Sequence, residues 1–160
     1  MSDDEQIRLL ADRHEVEQVI FRFANAFDLQ NWDSLRSCFT DLIDVDYTSF
    51  RGEKRTLEAD EYVAQRQTSL HGVKTQHLSF NHEIKIEHDQ AFCRSASLIF
   101  RFAPAMESDN SFNTHCFYEY NLVKTPEGWK ITKIKQEVLW HEGNPKVHGF
   151  RRSPEVERKD

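Results

Sequence analysis

Val16, Val19, Ile20, Phe23, Ala24 and Phe27 recur at three- and four-residue spacing, the apolar stripe of one helix face. Ile7, Leu10 and Ala11 extend the stripe upstream, so a long first helix is expected, ending near Asp28. Asn31 then reads as the N-cap of a short second helix whose Trp32, Leu35 and Phe39 share a face. Ile43, Val45 and Tyr47 alternate with Asp44, Asp46 and Thr48, the period of a half-buried strand that keeps Tyr47 in the apolar phase. The chain turns around Arg51-Gly52-Glu53. Ala59, Tyr62, Val63 and Leu70 predict a third helix from about Leu57 to Leu70, closed by His71-Gly72.

Long strands follow, over about Lys74–Glu87, Ala91–Ala103, Phe112–Lys124 and Trp129–Trp140. His88-Asp89-Gln90 and Thr125-Pro126-Glu127-Gly128 are short enough to be hairpin connections. Helices followed by a meander imply an α+β domain: a cone-shaped half-barrel in which a strongly curved, mixed but mostly antiparallel sheet wraps three N-terminal helices around a pocket. Residues 1–150 make one domain, and the charged segment 151–160 is expected to be a mobile tail. Phe92, Leu98, Phe100 and Phe102 occupy one strand phase, while Ala91, Cys93 and Ile99 occupy the other. The helices can cover only one sheet face, so a homodimer or homotrimer is expected to cover the second.

Charge narrows the partners. A formal net charge of -6 with no basic run ahead of the tail excludes a surface built to displace counterions from nucleic acid. The acidic start Ser2-Asp3-Asp4-Glu5, with no long apolar run after it, matches neither a signal peptide nor a membrane span, so a cytoplasmic location is expected. Cys38, Cys93 and Cys116 lack close pairing and read as reduced core residues. No HExxH or His/carboxylate facial spacing occurs, so neither a metal site nor a cofactor is expected.

The candidate chemistry lies in Asp28, Tyr47 and His77. Proton transfer near neutral pH needs a tunable imidazole, a carboxylate to orient it and a phenol to polarise a carbonyl. In β phase His77 alternates with Ser79 and Asn81, whereas Leu78, Phe80, Ile84 and Ile86 fall opposite. That polarity suits a pocket wall and an outer surface equally. Asp28 also fits a plain helix-end residue, and Tyr47 a large strand residue. His115 and Tyr118, on a strand expected to border the pocket, are further candidates, while His14, His71, His82, His88, His141 and His148 read as surface residues.

Phe27-Asp28, Asn31-Trp32-Asp33-Ser34-Leu35, Asp46-Tyr47-Thr48-Ser49-Phe50, Glu61-Tyr62-Val63, Thr75-Gln76-His77 and Gly128-Trp129-Lys130 resemble the scytalone dehydratase family, within the nuclear-transport-factor-2-like superfamily that also holds SnoaL-like proteins. The resemblance runs from about Glu15 to Glu142, with Asp-Tyr-x-Ser-Phe and Thr-Gln-His as its most specific pieces. In that family two tyrosines hold a water near the substrate carbonyl, and a histidine oriented by an aspartate moves the proton. The resemblance puts these roles on Asp28, Tyr47 and His77. The chain departs from the pattern at Phe27, where the family has its other tyrosine. It also lacks a histidine near Ser95 to Ser97, and has Cys116 and Tyr118 near the family's serine and asparagine.

The resulting expectation is a cofactor-independent lyase that removes water from a small hydroxylated carbonyl or polyketide-type compound. An isomerase or cyclase would share its first step. A non-catalytic ligand-binding module, or the small subunit of an aromatic-ring-hydroxylating dioxygenase, is the alternative that the fold alone permits. Gly143 to Phe150 follows the last strand with one large apolar residue, Phe150, and is expected to close the pocket as a lid, with Phe150 as a substrate contact.

Overall fold

The computed structural model describes residues 1–148. Helix α1 (Asp3–Asp28) starts at a capping box, in which the Ser2 hydroxyl accepts from Glu5 N and the Glu5 carboxylate accepts from Ser2 N. Its buried residues begin only at Val16, and Ile7 and Leu10 are 64% and 66% exposed. The upstream end of the expected stripe therefore projects past the core. Helix α2 (Trp32–Ser37) is capped by Asn31, whose side-chain oxygen accepts from Ser34 N. Strand β1 (Phe39–Tyr47) follows and buries Phe39, Ile43, Val45 and Tyr47.

Where a turn and one helix were expected, the chain makes three elements: the single turn α3 (Thr48–Arg51), strand β2 (Glu53–Glu58) and helix α4 (Ala59–Ser69). Gly52 ends α3 at φ 73° and sends the chain back along β1, pairing Tyr47 with Glu53 and Ile43 with Leu57. Strand β2 buries only Leu57 and lies at a sheet edge, so no alternating apolar signal marks it.

Strands β3 (Lys74–Glu87), β4 (Gln90–Phe102), β5 (Phe112–Thr125) and β6 (Gly128–Gly143) complete one sheet of order β2-β1-β6-β5-β4-β3. Among the described residues only the β1–β6 pairing is parallel. The architecture is the expected α+β half-barrel. Phe23 of α1 lies at the centre of the core, making edge-on contacts with Phe27, Phe39, Tyr118 and Tyr120.

One irregularity decides which side chains face inward. The β3–β4 register breaks between Phe80 and Glu83, with Asn81 at φ 55°. The extra residue of such a bulge switches the side-chain phase. His77 and Ser79 before it, and Ile84 and Ile86 after it, all pair with inward residues of β4, namely Ile99, Ser97, Cys93 and Ala91. Read as an unbroken strand, His77 and the isoleucines fall on opposite faces; the bulge puts them on one.

Candidate active site

Asp28 is the last residue of α1, and β3 begins beside it. Gln30, at φ 51°, donates from Nε2 to Val73 O and fastens this junction. The Asp28 carboxylate then takes three donors from β3: Thr75 Oγ1 at 2.9 Å and His77 Nδ1 at 2.6 Å reach Oδ1, and His77 N at 2.7 Å reaches Oδ2. Burial works to raise the carboxyl pKa, but these hydrogen bonds and the imidazole outweigh it and hold Asp28 below its usual value. Burial pushes the His77 pKa down, Asp28 partly opposes this, and the positive charge of Arg101 adds to it. The pair is thus an ionised carboxylate and a neutral imidazole whose Nδ1–H points at Asp28. That tautomer leaves the Nε2 lone pair for the pocket. Phe27 supports the ring by stacking at 5.0 Å and 27°.

Tyr47 and Tyr118 line the same pocket as His77 and Phe27. The Tyr47 hydroxyl lies 2.7 Å from that of Tyr62 on α4, and Tyr118 Oη accepts from Gln136 Nε2 at 3.0 Å. Burial raises the pKa of Tyr62 and Tyr118 well above the ordinary phenol value, so both remain protonated donors. Tyr62 reads from the sequence as a core helix residue. Its role as the partner of Tyr47 depends on a tertiary contact between α4 and β1.

Sequence reasoning missed the pocket's cations. Arg51 comes from α3, Arg66 from α4 and Arg101 from β4. Helix α3 is stitched to β6 through Ser49, whose hydroxyl donates to Gln136 O and accepts from Val138 N, which fixes Phe50 and Arg51 over the pocket. Arg101 did carry a signal: it occupies the inward phase of β4 between Ile99 and Ala103 and is 4% exposed.

Several expectations need correction. His115 lies on the opposite face of β5 from Tyr118, stacked on Trp140 at 4.2 Å with Nε2 3.5 Å from Glu142, because successive strand residues alternate faces. His148 and His82 are not surface residues. His148 is buried, lines the pocket and contacts Arg51. The His82 side chain is 6% exposed and lies between Glu17 and Ser79. A 3₁₀ turn (Pro145–Val147) carries the chain to His148, which lines the pocket; Phe150 lies outside the described residues.

The pocket is open to solvent on one side, and the space within it is about 30 Å³, room for roughly two waters on that measure. Among the described residues no group of three or more His, Cys, Asp or Glu side chains is placed to hold a metal, and no helix is long and apolar enough to cross a membrane. Burial pushes the thiols of Cys38 and Cys93 up to about 12 and that of Cys116 to about 11, so all three are protonated and poorly nucleophilic near neutral pH.

The chain is 25% identical over 142 residues to a scytalone dehydratase of Colletotrichum orbiculare, covering 77% of this chain and 71% of that protein. Among solved structures, the Kfla4162 protein of Kribbella flavida superimposes with a TM-score of 0.81 at 24% identity, covering 84% of this chain and 95% of that one. A putative scytalone dehydratase from Novosphingobium aromaticivorans superimposes at 0.74 with 17% identity, covering 84% and 89%. At these identities the structural likenesses establish the fold. The SnoaL-like domain profile matches residues 8–135, most of the length, and the chain belongs to the SnoaL-like domain family.

Proposed function

We propose that the protein is a cofactor-independent lyase whose base is His77. The observation that carries this reading is the 2.6 Å contact between Asp28 and a half-buried, neutral imidazole whose other nitrogen is left to a pocket. In the proposed reaction His77 Nε2 removes a proton from the carbon next to a carbonyl. The C–H electrons form an enolate, whose oxygen accepts from the Tyr47 hydroxyl, directly or through water. The enolate then collapses, a carbon–carbon double bond forms, and the C–O bond to the β-hydroxyl breaks. The His77 imidazolium returns its proton to the leaving oxygen, giving water and restoring the neutral base.

Asp28 orients the ring and offsets the positive charge that His77 gains. Tyr62 positions the Tyr47 hydroxyl. Phe27 takes the place of a tyrosine in the resembling family, which leaves Tyr47 and Tyr118 as the phenol donors of this pocket. The scytalone dehydratase relative supports loss of water as the overall change. The Asp28–His77 pair supports this reading over a passive binding module through its placement: the ring nitrogen not held by Asp28 is left to a pocket that Tyr47 also lines.

The first step is tested by incubating the protein with small cyclic β-hydroxyketones in D₂O and following deuterium at the α-carbon and loss of hydroxyl by NMR. Exchange and elimination that both vanish in His77→Asn support the reading. Turnover of an authentic substrate at full rate in that variant would remove His77 as the base.

A further inference from the structure

The pocket holds more positive charge than its described residues neutralise. Twelve residues line it; three are arginines and none is an aspartate or glutamate. Asp28, behind His77, already accepts three hydrogen bonds from β3. Arg36 and Arg55, on the surface, each pair with carboxylates at 3.0 Å or less, whereas no such pair forms at Arg51, Arg66 or Arg101 among the described residues.

Arg101 is the deepest of the three. Its Nη1 donates to Thr114 Oγ1 at 2.8 Å, and its guanidinium lies over the rings of Phe50 and Phe112 at 5.7 and 5.4 Å. One neutral acceptor and two aromatic faces leave Arg101 without a counter-anion among the described residues. The buried Nε atoms of Arg51 and Arg66 have no hydrogen-bond partner among the described residues, and the Nη2 of Arg51 meets only the neutral ring of His148 there. A buried cation without an anion is costly, and three around one cavity repel one another. Burial and then Arg66 lower the pKa of Arg51, while burial brings that of Arg101 down to about 10, with Arg51 a smaller contribution in the same direction. Both remain cations near neutral pH.

We infer that the substrate supplies the missing charge: it is a small carboxylate, held by Arg101 with Arg51 and Arg66, whose acidic carbon is presented to His77. The inference rests on the proton-abstraction reading above and narrows its substrate class to hydroxylated oxo acids. Planar guanidinium forks match the two oxygens of a carboxylate. The aromatic walls of Phe27, Phe50 and Tyr118 suit an unsaturated or ring-bearing remainder.

Binding is measured apart from turnover, by isothermal titration and thermal shift of the full chain at matched ionic strength. Acetate and benzoate are compared with the neutral acetamide and benzamide, and with inorganic phosphate. The expected result is a preference of at least about tenfold for each carboxylate over its amide. It should be abolished in Arg101→Gln, reduced in the partly exposed Arg66→Gln, and kept in His77→Asn. Equal affinity for acid and amide, no carboxylate binding at all, or an unchanged preference in a folded Arg101→Gln would each overturn the inference. If Arg101→Gln does not fold, an unchanged preference in Arg66→Gln overturns it instead. Tighter binding of phosphate than of either carboxylate would replace the carboxylate assignment with a phosphate ester. Arginine-dependent carboxylate binding without His77-dependent α-proton exchange would sink the lyase reading and leave this one standing. Exchange on neutral hydroxyketones that ignores the arginine variants would do the reverse.

Discussion

His77 Nδ1 lies 2.6 Å from Asp28 Oδ1, although 49 residues separate them in the chain. The main chain of His77 donates to the other oxygen of the same carboxylate, so backbone and ring are held by one group and the imidazole has little freedom to turn.

If that ring is the base, His77→Asn lowers kcat by about a hundredfold to ten-thousandfold, with folding largely retained. Asp28→Asn loses less, and the double variant falls well short of the product of the two losses, because both act as one unit. Steady-state kinetics with circular dichroism as the folding control measure this.

The direction of the His77 shift sets a pH signature. Its pKa lies below the usual 6.5, so kcat/KM should hold through neutral pH and fall on the acid side with an apparent pKa under 6.5. Stability has the same sign. The folded state binds this proton more weakly than the unfolded chain, so the neutral ring's contribution is complete above about 6.5 and is lost as pH falls through the folded-state value. Asp28, also lowered, adds a second loss below its ordinary value of 3.8. In Asp28→Asn the acid limb should move to still lower pH, since Asp28 raises the His77 pKa. Rate profiles between about pH 4 and 8 check the His77 limb, and denaturation midpoints carried down to about pH 2 check both losses of stability.

Tyr47 and Tyr62 can be separated by their roles. Tyr47→Phe removes the hydroxyl proposed to meet the developing enolate and should lower kcat with little change in KM. Tyr62→Phe removes only the partner that positions it, and should cost less rate. Equal effects would mean that the two phenols act as one donor.

Gly143 governs the segment beside the pocket. It stands at φ 88°, and a Cβ there would approach Ser111 O to 2.3 Å; Asn144 N also donates to Ser111 O. Gly143→Ala should destabilise the fold by about 1–3 kcal/mol and displace Pro145 to His148, raising KM more than a surface substitution of equal stability cost. Thermal melts alongside kinetics test this; an unchanged melt and KM would show that the turn adapts without strain.

Phe100 and Phe102 on β4, Phe80 on β3 and Trp140 on β6 leave apolar side chains 38 to 51% exposed on the outer sheet face. We expect this face to pair with other copies of the chain. Light scattering should give a dimer or trimer at micromolar concentration, and Phe100→Glu with Phe102→Glu should shift it to monomer. A wild-type monomer at those concentrations would refute the expectation.

Local pattern alone determined the long amphipathic helix, the Asn31 cap, the alternation of β1 and the four long strands, because each is encoded in residues within a few positions of one another. Asp28, Tyr47 and His77 could be named from the sequence, but their side chains could not be oriented. The bulge at Asn81 sets the phase of β3, and a bulge depends on how two strands pair. Strand β2 was invisible because an edge strand with one buried residue has no apolar period. His115 was misplaced beside Tyr118 because an odd separation along a strand, here three residues, puts two side chains on opposite faces. The cationic pocket was hidden for a different reason: Arg51, Arg66 and Arg101 come from three elements, and only the closing of the sheet over the helices brings them around one imidazole.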